Sequence, residues 1–327
     1  MDYVWKSSVI IALFYLCYQL FLQRETFFVG NRWFLLLGLV ASIVVPLIVI
    51  PVYVEYTPAY RQDFRLPNEI MVAQPQNKNP FGFFQLSLII YLIGVLFFLG
   101  KLISEFISLF RLIKRHRFVK DKYFHYIEAD TELPPFSFFK WIVYNPDQFD
   151  GKELYLILNH EKVHARQLHS LDIIFAQLVC VLFWFNPLVW LYKKALQQNL
   201  EFIADQDAQI IAPCEKSYQN LLLKTSIPSH QLALTNNFYN SLIKKRIVML
   251  HKSKSNRINA WKYTLVLPLL VVFIFNFNTE TIAQTTNQGN EPGTVNAQNV
   301  LSSSSQRTLR TNNLNPSKKN WPKKRQP

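Results

Sequence analysis

His160-Glu161-Lys162-Val163-His164 is the stretch of this sequence whose residue types and spacing can do chemistry. Residues 152–169, with Asp147 and Asp150 as caps ahead of them, read as one helix. Residues i and i+4 of a helix share a face, so His160 and His164 can point at one metal ion while Glu161 stands beside them. Imidazole nitrogens suit zinc, a catalytic zinc keeps one open position, and a metal-bound water needs a base to take its proton. Two histidines four apart also arise by chance on solvated helix faces, so a third ligand decides the matter. Glu201-Phe202-Ile203-Ala204-Asp205, on a helix expected over 188–207, supplies one. Glu201 can complete a His160, His164, Glu201 set, and Asp205 can accept the remaining ring N–H of a ligating histidine.

Other candidates are weaker. An extended three-histidine pattern needs glycine at 167 and histidine at 170, where Gln167 and Ser170 stand. His169 falls off the metal face and reads as a supporting or structural residue, and Asp172 as the cap of the next helix. His116 and His125 have no assignable partner. Ser137 with Lys140 and Ser241 with Lys244 match S-x-x-K, but no accompanying motif supports a serine mechanism, and both are taken as chance. Cys17, Cys180 and Cys214 are odd in number and two lie in apolar runs, which leaves neither a disulfide framework nor a cysteine zinc site.

The elements that must position these residues are largely apolar. Of 327 residues, 50% are hydrophobic and 17% charged, and the hydrophobic ones are collected into runs, which excludes a disordered or collagenous chain. Residues 7–22, 33–54, 83–100 (continuing amphipathically towards Phe110) and 263–277 form runs near the length needed to cross about 30 Å of hydrocarbon, the last being the shortest. The first run keeps bulky Phe and Tyr to its end and has no small-residue cleavage site, so it reads as a span rather than a signal peptide. A fifth run, 171–192, is interrupted at Asn186-Pro187. Its first limb is too short to cross, and the run reads as a re-entrant helical hairpin that returns on the same side and packs helix 152–169 against helix 188–207. Basic residues crowd the end of the third span and precede the fourth (Lys244, Lys245, Arg246), which puts 111–262 in the cytoplasm and the loop 55–82 outside.

The fold class expected is therefore a mainly α membrane protein with about four transmembrane helices, a re-entrant hairpin and a cytoplasmic α+β zinc peptidase domain. Residues 1–110 would be a three-helix transmembrane region, 111–262 the peptidase domain with its membrane-dipping hairpin 171–192, 263–277 the last span, and 278–327 a disordered basic external tail. That tail carries seven of the cations behind the net charge of +14. The aromatic and β-branched stretch 134–145 reads as a strand whose edge can hold an extended peptide.

The order of spans, with PPFSFFKWIVYNP (134–146), HEKVHARQLHSLD (160–172), FWFNPLVWLY (183–192), LEFIAD (200–205) and NNFYNSLIKKRIVML (236–250), resembles the BlaR/MecR-type integral membrane zinc metallopeptidases. The resemblance implies a gluzincin-like domain with His160, His164 and Glu201 as zinc ligands, Glu161 as general base and Asp205 as a support. It implies cleavage of a cytoplasmic transcriptional repressor, or of the chain itself, at a bacterial inner membrane. Antibiotic-sensing relatives carry a penicillin-binding sensor after the last span, where only about 50 polar residues follow here. The expected partners are a protein substrate and the lipid bilayer, with no direct nucleic acid, and a homodimer stays open. The alternatives are a non-catalytic membrane receptor or scaffold, and a membrane-protein quality-control peptidase resembling the HtpX type.

Overall fold

A computed structural model of the chain describes residues 2–56, 82–116, 118–130, 133–212, 215–226 and 233–285. Positions 57–81 of the expected external loop and 286–327 of the expected tail lie outside the described residues. Two compact units result, Met1–Val52 with Ile70–Glu280, and Tyr53–Glu69 with Thr281–Pro327. Apart from the strand pair β1 and β6, everything below belongs to the first.

Helix α1 (Asp2–Cys17) runs on through one π-helical turn to Leu22, and α2 (Phe28–Val44) through a 3-10 turn to Leu47. The second apolar run thus ends as a helix well before Val54, because Pro46 and Pro51 break it and β1 (Ile50–Tyr56) begins there. Helix α3 (Phe83–Arg115) is 33 residues long, roughly 50 Å, well beyond a single bilayer crossing. A small sheet follows, made of β2 (Phe118–Lys120), β3 (His125–Glu128), β4 (Phe136–Phe138) and β5 (Trp141–Tyr144) in the order β2-β3-β5-β4, with β3 parallel to β5 and β4 antiparallel to it. Residues expected as one strand are therefore a hairpin, turning at Phe139 and Lys140. The sheet buries Ile127 and Val143 against Ile113 near the end of α3.

Helix α4 (Gly151–Arg166) starts at Asp150, whose N–H donates to Glu153 Oε2 at 3.3 Å in a capping box. It ends earlier than expected, and α5 (His169–Leu182) leaves at a 61° bend through Leu168, a left-handed residue with φ 54°. Asn186 caps α6 (Pro187–Ile211), its side chain accepting from Leu188 N at 2.9 Å with Pro187 in the first turn. Then come α7 (Glu215–Ser226), α8 (Ala233–Leu250), a 3-10 segment Arg257–Leu265, α9 (Val266–Phe277) and β6 (Thr279–Thr285). The last apolar helical stretch begins at Arg257, ahead of the expected start at Tyr263. Strand β6 pairs with β1, so the first residues of the expected disordered tail are ordered, their Thr and Ile suiting a strand.

Among the described residues, four helical stretches are long and apolar enough to cross a membrane: Asp2–Leu22, Phe28–Leu47, Phe84–Arg115 and Arg257–Phe277. Helix α6 is packed against α1 and α2, and joined to α2 by backbone-directed hydrogen bonds that apolar surroundings strengthen. Asn199 Nδ2 donates to Phe28 O at 2.8 Å and Tyr192 OH to Leu35 O at 2.7 Å. Gly38 of α2 permits the approach, since a Cβ there would overlap the Tyr192 hydroxyl. Glu201 and Asp205 thus sit on a helix fixed by α1 and α2, and α4 lies against the same helix.

Candidate metal centre

His160, His164 and Glu201 converge. His160 Nε2 and His164 Nε2 are 3.2 Å apart, and Glu201 Oε2 and Oε1 lie 3.5 and 3.7 Å from them. Zinc held at about 2.0–2.1 Å in a tetrahedron separates its ligands by about 3.4 Å, so one ion fits among the three atoms with a fourth position open. Among the described residues this is the one such cluster. Glu161, largely buried, lines the same cavity of about 330 Å³. Burial by itself opposes charge on His160, yet its hydrogen bond to Glu201 and the charges of Asp205 and Glu201 raise its pKa; the carboxylates favour a cation at this point. Burial lowers the pKa of His164, which favours the neutral ring whose unprotonated nitrogen can take a metal.

The rings are held from behind by groups that sequence reasoning misses. His160 Nδ1 is 2.9 Å from Tyr218 OH, which donates to Asp205 Oδ1 at 2.8 Å. Asp205 Oδ1 itself lies 3.4 Å from that nitrogen, so the expected carboxylate partner is present and the tyrosine hydroxyl shares the contact. Arg246, which in sequence belongs to the basic run ahead of the fourth span, turns inward. Its Nη2 and Nε meet Asp205 Oδ1 and Oδ2 at 2.5 and 2.7 Å, and its Nη1 meets Glu201 Oε2 at 3.0 Å. Burial alone would raise the Glu201 pKa, but Arg246 and the two histidines hold it well below the ordinary carboxylate range. Tyr218 and Arg246 are groups of the kind that can meet an oxyanion, and both line the cavity of Glu161 while bonded to Asp205. The signal for them is faint, because the two arise 13 and 41 residues from Asp205 in sequence.

His169 is the first residue of α5, and the bend brings its Nδ1 to 2.7 Å from His164 Nδ1. Burial, with His164 and Arg32 nearby, holds its pKa down at about 3. Asp172 does not cap α5; it makes a buried ion pair with Arg32 of α2, Oδ2 to Nε at 2.7 Å. His125 packs on Trp141 in the sheet, ring centroids 4.5 Å apart, and His116 Nδ1 lies 3.0 Å from Leu112 O, both away from the metal centre. Ser137 sits on β4 at the cavity's rim and Lys140 in the turn, not as a serine–lysine pair with partners. Side-chain contacts of Ser241 lie outside the described residues.

A second cavity of about 430 Å³ shares Ser137, His164 and Glu201 with the first and extends between α3, α5 and α6, walled by Leu102, Phe106, Phe138 and Ile173. Strand β4 lies along both, at the unpaired edge of its sheet.

Residues 135–250 match the BlaR1 peptidase M56 family. The matched segment runs from β4 to the end of α8 and contains each residue of the centre named above except Arg32. The match supports the BlaR/MecR-type resemblance and indicates a peptidase, and with the apolar helices it indicates a membrane protein. No curated protein matches the chain.

Proposed function

We propose that this protein is a membrane-embedded zinc metalloendopeptidase of a signalling pathway, its site facing the cytoplasm of a bacterial cell, that cleaves a transcriptional repressor or itself. The observation that carries the reading is the convergence of His160 Nε2, His164 Nε2 and Glu201 on one point beside Glu161, inside a peptidase-family segment. Two imidazoles and a carboxylate favour zinc over harder ions. When bound, zinc supplies Lewis acidity towards a scissile carbonyl and towards a water.

The chain's own groups do the rest. Glu161 accepts the proton of the attacking water at a carboxylate oxygen and delivers it to the departing amine. Tyr218 and Asp205 orient His160, and Arg246 keeps Glu201 ionised. Edge strand β4 supports an extended peptide laid between the two cavities. Counting from the two-residue turn, hydrogen-bonded pairs alternate, so the N–H and C=O of Ser137 point away from β5 to where such a peptide would pair.

The test compares the proteomes of cells making the wild-type chain and Glu161→Gln. New protein termini in one or a few proteins, dependent on Glu161 and including a DNA-binding repressor or the chain itself, are expected. Identical termini would replace this reading with a non-catalytic receptor, and scattered cuts in misfolded membrane proteins would replace it with quality control.

A further inference from the structure

We infer that Arg32, on the apolar helix α2, is a positioning residue for the metal ligand His164, acting through Gln167 and His169. The inference rests on the reading of the site as a metal centre. Arg32 lies 135 residues from Gln167 in sequence and outside the family-matched segment, yet its guanidinium reaches the α4–α5 corner three times. Nε pairs with Asp172 Oδ2 at 2.7 Å, Nη2 donates to Gln167 O at 2.9 Å, and Nη1 donates to Gln167 Oε1 at 3.2 Å. Its side chain is 13% exposed, so water is a poor substitute for these partners.

Hydrogen-bond direction then propagates to the metal. A guanidinium only donates, so the Gln167 atom facing it is the amide oxygen. The same oxygen is 3.3 Å from His169 Nε2, which must therefore carry the hydrogen. A neutral His169 then has a bare Nδ1, 2.7 Å from His164 Nδ1, and that nitrogen must be the donor. His164 is left with its lone pair on Nε2, the atom 3.2 Å from His160 Nε2 and facing Glu201. Arg32 thus selects the tautomer of His164 that can ligate. Without it Gln167 can present its NH2 instead, the chain can reverse, and the hydrogen can sit on His164 Nε2, where it blocks the metal.

The link also ties α2, one of the stretches able to cross a membrane, to a ligand on α4 by a path of directed bonds rather than by bulk packing. A shift of α2 that withdraws Arg32 would be registered at His164.

The experiment measures zinc affinity of the full-length chain in detergent, by competition with a chromophoric chelator, for wild type, Arg32→Met, Gln167→Leu, His169→Leu and the Arg32→Met/His169→Leu double variant. Gln167→Leu leaves the Arg32–Asp172 pair in place and so separates the relay from the stability of the corner. Each single variant is expected to bind zinc roughly 10–100-fold more weakly. The double variant is expected to be no weaker than His169→Leu, because the effect of Arg32 passes through His169. Cobalt substituted for zinc is expected to show an altered visible spectrum in each. Unchanged affinity in Gln167→Leu, or losses that add in the double variant, would overturn the inference while leaving wild-type zinc binding and Glu161-dependent cleavage intact. A wild-type chain that binds no zinc would overturn the proposed function and this inference with it.

Discussion

Arg246 grips Asp205 with two nitrogens, Nη2 to Oδ1 at 2.5 Å and Nε to Oδ2 at 2.7 Å, joining α8 to α6 beneath the metal ligands. The Asp205 side chain is 1% exposed and that of Arg246 17%. Removing one partner leaves the other charge buried and without its charged counterpart in this pair. Arg246→Met is therefore expected to destabilise the chain by about 3–5 kcal/mol, read as a lower melting temperature in detergent. Arg246→Lys recovers only part of this, since an ammonium cannot hold both carboxylate oxygens in the same fork.

Acid unfolding of the metal-free chain reports on Glu201. Its folded pKa is depressed, so the contribution is present above the ordinary value of 4.5 and is lost as pH falls through the folded value below it. In Arg246→Met the largest lowering influence is gone and burial acts unopposed by the guanidinium, so the carboxyl protonates at higher pH. The midpoint of acid unfolding, followed by circular dichroism, is expected to move upward relative to wild type. An unchanged midpoint would show that Arg246 does not hold Glu201 charged.

Tyr218→Phe deletes the hydroxyl between His160 and Asp205 and little else, because the ring is retained in its packed place. Zinc affinity is expected to fall about 10–100-fold, with a stability loss of about 1–3 kcal/mol from the unpartnered groups. Chelator competition and thermal unfolding on one preparation separate the two effects.

Ser137→Pro removes an outward-facing backbone donor from β4 without taking a hydrogen bond from the β4–β5 pair. With the cleaved peptide as substrate, KM is expected to rise several-fold while kcat changes little. The opposite split, a lower kcat at constant KM, would place the substrate elsewhere.

The centre is legible in sequence where its geometry is local. His160 and His164 are one helical turn apart, as are Glu201 and Asp205, and Asn186-Pro187 marks the break before α6 whatever the tertiary structure does. Arg32, Tyr218 and Arg246 carry no such periodic mark: each arrives from a distant segment, and Arg246 looks like one more cation in a basic run. Asp172 looks like a cap for the same reason, since Arg32 is invisible from its neighbourhood. The β4–β5 hairpin reads as one strand because Phe139-Lys140 has neither Gly nor Asn to announce a turn.

That turn has its own cost. Phe139 has φ 52°, and the other described non-glycine residue in the left-handed region is Leu168, with φ 54°. Each such residue costs on the order of 1 kcal/mol or more and persists only where its surroundings impose it. The two are neighbours, because Phe139 N–H donates to Ser170 Oγ at 2.9 Å, two residues past Leu168. The strain of the cleft is thus gathered at one seam between sheet and helix pair. A residue at 170 without a hydroxyl would leave the left-handed turn of the sheet without the hydrogen bond that reaches it from the helix pair.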